Sequence, residues 1–123
     1  MNMFLHNIGD INDEQCFIAS TDALIAPSPL SVDYVLANPP FGKKSSLTFT
    51  NEDGEQDRED LTYNRQDFWA TTSNKQLNFV QHIKTILKTT GQAAVVVPDN
   101  VLFEGGAGES IRKELLKEMN LHT

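Results

Sequence analysis

The mostly apolar run Val32-Asp33-Tyr34-Val35-Leu36-Ala37 ends against two consecutive prolines. The run reads as a buried parallel strand. Each proline lacks an N–H and fixes its own φ, and a proline keeps the residue before it extended. Neither a ladder nor a helix therefore continues through Pro39 and Pro40. Asn38-Pro39-Pro40-Phe41 is set at the strand's carboxyl end, where ligands bind in open α/β sheets.

A second pattern agrees. Leu77, Val80, Ile83, Ile86 and Leu87 recur at helical spacing, and Thr89-Thr90-Gly91 reads as the end of that helix. Ala93 to Val97 then reads as a buried strand closed by Pro98. Strand, helix, strand predicts a right-handed parallel crossover. It brings Asp99 and Asn100 to the same sheet edge as Asn38, either to line a pocket or to make a turn. Ile111, Leu115, Leu116 and Met119 mark a last helix, starting near Glu109. Cys16 to Ala19 reads as a short strand, residues 1 to 8 as the end of a helix, and Pro27 to Ser31 as a loop.

The four residues after the strand have a definite chemistry. The Asn38 side chain offers an acceptor oxygen, and the Pro39 carbonyl, held extended, offers another. Two adjacent acceptors suit a planar amino group with two hydrogens to donate. Phe41 offers a flat face for a heterocycle, worth about 1–3 kcal/mol per stacked base. Accepting both N–H bonds returns lone-pair density to the nitrogen, so no strong base is needed. The electrophile has to come from a cofactor, because no side chain supplies a methyl group. By residue frequencies the tetrapeptide arises by chance in roughly one chain in a thousand of this length. The plainer alternative is a rigid turn with a buried Phe41.

Asp33-Tyr34-Val35-Leu36-Ala37-Asn38-Pro39-Pro40-Phe41-Gly42 resembles the catalytic motif of adenine-N6 DNA methyltransferases, above all the modification subunit of type I restriction-modification systems. Met1 to His6, Ser20 to Leu24, Gln81-His82, Gly91 to Pro98, Val101 to Phe103 and Gly105-Gly106 agree with that family as well. The resemblance implies a partial Rossmann-like S-adenosylmethionine-dependent methyltransferase fold, an α/β fold with a mostly parallel sheet and flanking helices. It implies that Asn38 and the Pro39 carbonyl hold the adenine N6, with Pro40 stiffening the turn and Phe41 stacking on the flipped base. It implies that Asp22 hydrogen-bonds the adenine moiety of S-adenosylmethionine, Asn38 also lying at the cofactor. Read without the resemblance, Ser20-Thr21-Asp22 is good capping chemistry. DNA and the specificity and restriction subunits of a type I system are the implied partners.

The family's glycine-rich cofactor loop lies upstream of anything in this sequence. An acidic residue expected on the cofactor ribose is also absent. The only glycine cluster, Gly105-Gly106-Ala107-Gly108, is not G-x-G-x-x-G and reads as a strand-to-helix loop. Residues 1–123 are therefore expected to be part of a catalytic domain: a truncated product, an engineered piece, or one part of a split enzyme. Alone, the chain is expected neither to bind the cofactor tightly nor to methylate DNA. Its motif strand is expected to expose an unpaired edge through which copies or partners associate. Methylation of protein glutamine or of an RNA base, and a non-catalytic assembly or regulatory role, are the alternatives.

Residues 43 to 75 read as a polar insertion, mostly loop, carrying Glu52, Asp53, Glu55, Asp57, Glu59 and Asp60. It is either a lid beside the site or a solvated surface segment. Lys43 and Lys44 could meet a phosphate. Arg65, Phe68 and Trp69 could do the same or anchor the loop.

With 17 acids against 10 bases the formal charge is −7, which argues against a stand-alone DNA-binding module. Cys16 is the single cysteine, so no internal disulfide forms, and no metal-ligand spacing accompanies His6, His82 or His122. His82 reads as a polar or half-buried helix residue. No run approaches a membrane span and no signal peptide is evident, which makes the cytoplasm the default compartment.

Overall fold

A computed structural model describes residues 5–9, 18–41, 46–50, 56–60 and 64–122. The elements are β1 (Val32–Ala37), β2 (Ser46–Thr50), β3 (Gln56–Asp60), α1 (Lys75–Ile86), β4 (Leu87–Val95), α2 (Asp99–Phe103) and α3 (Ala107–Glu118). The chain is a small α/β unit. β1 and β4 pair in parallel, and β2 and β3 form a separate antiparallel pair.

The β1–β4 ladder aligns Tyr34 with Gln92, Val35 with Ala93, Leu36 with Ala94 and Ala37 with Val95. The Val96 N–H extends it by donating to the Ala37 carbonyl at 3.0 Å. Pro39 and Pro40 have no N–H with which to carry it further. Both strands thus run out side by side at one edge, with Asn38 on one and Val96 on the other. Asp99 and Asn100 follow as the exposed first turn of α2, at the carboxyl edge that the crossover pattern predicts.

Expectation and structure differ at the start of β4. α1 ends at Ile86, not at Thr89–Gly91, because Leu87 is already extended while its N–H still bonds back to Ile83. Lys88, Thr89 and Thr90 continue as strand, in keeping with the β preference of threonine. The register slips between Val32 and Tyr34, where the partner runs from Leu87 to Gln92. Gly91 lies in that irregular stretch. A Cβ there would come within 2.9 Å of the Asp33 carbonyl and 2.8 Å of a Leu87 methyl, so the close backbone approach needs glycine.

The strands are also less buried than their composition implies. Tyr34 is 75% and Leu36 86% exposed, and Gln92, Ala93 and Ala94 are exposed too. Alternate residues face opposite sides of a sheet. Val35 and Ala37 are half-buried, while the Tyr34–Leu36 face is uncovered by any described residue.

The core lies among the helices. Leu77 of α1, Val101 of α2 and Ile111 of α3 are buried together, with Trp69, Ala70, Val80 and Val97 packed against them. α2 was not foreseen, and α3 begins at Ala107. Gly106 precedes it at φ 61°, a conformation that favours glycine.

Within the stretch expected to be mostly loop, β2 pairs with β3 from Ser46 opposite Asp60 to Thr50 opposite Gln56. Leu47, Thr48 and Phe49 are β formers, a signal outweighed in the sequence by the surrounding acids. Ile18 and Ala19 are not strand. Lys43, Lys44, Cys16 and residues 51–55 lie outside the described residues, as do residues 1–4 of the expected first helix, of which Leu5 is the described helical residue. Among the described residues no helix is long and apolar enough to cross a membrane.

Candidate active site

At the carboxyl end of β1, Asn38 is exposed, Pro39 buried, and Pro40 exposed. Phe41 follows with 54% of its surface open. A buried proline between exposed neighbours anchors the backbone while Asn38 and Phe41 remain accessible. Phe41 is not the buried turn residue of the plainer alternative. The edge thus carries an amide and an aromatic ring on a backbone that cannot join a ladder or a helix.

Asp22 lies in a tight turn over residues 22–25. Its Oδ1 accepts from the Leu24 N–H at 2.9 Å, and its carbonyl accepts from the Ile25 N–H at 3.3 Å. The capping role that Ser20-Thr21-Asp22 suggests is therefore real, and it fixes the carboxylate's direction. Leu24, only 2% exposed, pegs this turn into the protein.

The turn is tied to α1 by Arg65. Its side chain is 4% exposed. Nε and Nη2 donate to the two carboxylate oxygens of Asp67. Nη1 donates to the Ala23 carbonyl and to His82 Nδ1, each at 3.1 Å. The guanidinium also lies 4.3 Å from the centre of the Phe68 ring. An arginine only donates, so His82 Nδ1 must accept and the imidazole is neutral, with its proton on Nε2. Burial, reinforced by the Arg65 charge, holds the His82 pKa below the usual histidine range. The hydrogen bond from Arg65 holds the Asp67 carboxyl below the usual carboxylate range. So engaged, Arg65 anchors its segment and is not presented to a phosphate.

Further polar groups of α1 hold the same segment. Gln81 is 1% exposed and Asn78 fully buried. Gln81 grips the backbone of Ala70, and the Asn78 amide donates to the Thr72 carbonyl at 2.8 Å. Asn74 caps the helix through the N–H groups of Gln76 and Leu77, and its amide donates to Glu104. Trp69 packs on the core with the Lys84 ammonium 4.7 Å from its ring centre, so it too anchors. Apolar periodicity located α1 but missed this polar row. The signal available was the spacing of Asn74, Asn78, Gln81 and His82 along one helix. Among the described residues no three His, Cys, Asp or Glu side chains gather as a metal site.

Known proteins are similar to the chain over most or all of its length. The profile of the N-6 DNA methylase family matches residues 1–123. The methylase subunit of the type I restriction enzyme StySPI from Salmonella potsdam is 38% identical over 125 residues, covering 100% of this chain and 21% of that subunit. The EcoKI methylase subunit of Escherichia coli K12 is 46% identical over 89 residues, 72% of this chain and 14% of the subunit. The EcoEI methylase subunit of Escherichia coli is 39% identical over 92 residues, 75% of this chain and 16% of the subunit. The chain thus spans between 14% and 21% of the length of these curated relatives.

Proposed function

The chain belongs to the N-6 DNA methylase family, and from that premise we propose that it is a segment of a type I restriction-modification methyltransferase acting on the N6 amino group of adenine in DNA. The observation that carries the reading is Asn38-Pro39-Pro40-Phe41 at the carboxyl end of a parallel strand, with Asn38 and Phe41 accessible and Pro39 buried between them. The unit is part of a Rossmann-like catalytic domain, residues 1–123, with 43–75 inserted in it.

In this reading Asn38 Oδ1 and the Pro39 carbonyl accept the two N6 hydrogens. Neither is basic enough to remove a proton. Their effect is to orient N6 and return its lone pair to it. Phe41 stacks on the extruded base and Pro40 keeps the turn rigid. S-adenosylmethionine, when bound, supplies the electrophilic methyl group. An exposed carboxylate at Asp22, held by its own turn, fits its adenine end, and the exposed amide of Asn38 also lies at the cofactor. The glycine-rich loop for its methionine end is not in this sequence. The isolated chain therefore binds the cofactor weakly and is inactive by itself.

The partners are DNA and the specificity and restriction subunits, in the cytoplasm. Tyr34, Leu36 and Val96, each more than half exposed, and the side of β1 away from β4, which no described strand pairs, favour association of isolated copies. Methyl transfer by a complete methylase subunit carrying this segment tests the function, with duplex DNA, RNA and glutamine peptides compared. Transfer to adenine N6 in DNA is expected. Transfer to RNA or glutamine instead would overturn the reading.

A further inference from the structure

The Arg65 guanidinium ties its own segment to two others, the Asp22 turn 42 residues away and helix α1 through His82. Its donors are divided among them, two to Asp67 and one nitrogen shared by the Ala23 carbonyl and His82. Only a planar fork reaches three partners lying in different directions; a lysine ammonium on one flexible stem does not. The side chain is almost fully buried, so these contacts are not competed for by water. Each neighbour is itself fixed. Asp67 holds the fork, neutral His82 accepts from it, and Phe68 lies across its face.

The Ala23 carbonyl directly follows Asp22. Within the turn the Asp22 carboxylate accepts from the Leu24 N–H, the Asp22 carbonyl accepts from the Ile25 N–H, and the buried Leu24 side chain lies below. These contacts set the turn's shape. The bond from Arg65 to Ala23, 42 residues away, ties the turn to α1 through His82 and bears on its angle there. Residue 22 is exposed, so the direction of its carboxylate depends on that angle.

We propose that Arg65 is a positioning residue for Asp22: through the Ala23 carbonyl it aims the carboxylate at the adenine moiety of the cofactor. This rests on the reading of Asp22 given above. Arg65 touches neither cofactor nor base. It also couples the end of the polar stretch to the cofactor site, because whatever displaces residues 65–68 moves the Asp22 turn.

The test has two parts. In the 123-residue chain, hydrogen exchange at the Leu24 and Ile25 amides is compared between wild type and Arg65→Lys. Faster exchange at both is expected, with the amides of Leu77 and Ile111 in the core unchanged. In a complete methylase subunit carrying this segment, calorimetry measures S-adenosylmethionine binding to wild type, Arg65→Lys, Asp22→Ala and the double variant. Arg65→Lys is expected to weaken binding about tenfold, which is ~1.4 kcal/mol. The loss should vanish in the Asp22→Ala background, since a residue acting only through Asp22 has nothing left to aim.

Unchanged exchange at Leu24 and Ile25, or the same tenfold loss in both backgrounds, would overturn the positioning role while leaving Asp22 as a cofactor residue. Wild-type binding by Asp22→Ala would overturn the reading of Asp22 itself. If Arg65→Lys does not fold, Asp67→Asn carries the test. It loosens the fork and should give the same pattern at smaller amplitude, and unchanged exchange there overturns the proposal.

Discussion

Gln81 holds both backbone groups of Ala70 at once: its Nε2 donates to the Ala70 carbonyl at 3.0 Å and its Oε1 accepts from the Ala70 N–H at 2.9 Å. A side-chain amide on a helix thus takes the place of a neighbouring strand. The irregular segment before α1 gains a partner for its polar backbone without joining a sheet.

Replacing Gln81 by leucine keeps the apolar bulk and strands both Ala70 groups. The variant should lose about 2 kcal/mol, the penalty for leaving inner donors and acceptors unmade. Urea unfolding should show a lower midpoint at unchanged slope. Lys84→Ala removes the contact over Trp69 and a partly exposed ion pair with Glu118, and should cost no more than ~1 kcal/mol.

His82 makes stability depend on pH. Its folded pKa lies below the unfolded value of about 6.5, so between the two the unfolded chain binds a proton that the folded chain refuses. Stability is therefore full above pH ~6.5 and falls as the solution is acidified through that window. Asp67 acts lower: its folded pKa is depressed, and its contribution is lost only as pH falls from the ordinary carboxylate value through the folded one. His82→Gln, which still offers an oxygen to Arg65, should flatten the upper part of the profile in unfolding curves from pH 5 to 7.

Asn38→Ala in a complete methylase subunit should lower methyl transfer by about 10²-fold or more, as removal of an aimed hydrogen-bonding group does elsewhere. Cofactor binding should fall far less. Phe41→Ala should weaken base capture by about 1–3 kcal/mol, and Phe41→Trp should restore it. Fluorescence of a 2-aminopurine placed at the target base reads the capture, and radiolabelled methyl transfer reads the chemistry.

The exposed Tyr34–Leu36 face should make the isolated chain associate. Light scattering should show a mass above 13.7 kDa that falls towards monomer in Leu36→Lys. A monomeric wild type at high concentration would refute this.

Local sequence determined where the chain stops and what it offers there. The prolines at 39 and 40 end β1 whatever surrounds them, because a missing N–H and a fixed φ are properties of the residue. The helical spacing of Leu77, Val80 and Ile83 located α1 for an equally local reason, and the match of Asp33 to Gly42 to a known motif pointed to the family. Asp22 as a turn cap was legible too, since the bond from Leu24 N–H spans only two residues.

Only the tertiary structure decided what the polar residues inside the fold are for. Arg65 is a buried clamp and not a phosphate contact because Ala23, Asp67 and His82 converge on it from three stretches, and nothing in its neighbours in sequence shows that. The same holds for Gln81 and Ala70, and for the end of α1, where the pairing of Leu87 and Gln92 with β1 carries Lys88 to Gly91 between them as strand although glycine alone reads as a helix stop. Helix caps and proline breaks are settled by residues two or three apart. Burial and long-range hydrogen bonds depend on which segments meet, and that is a property of the folded chain as a whole.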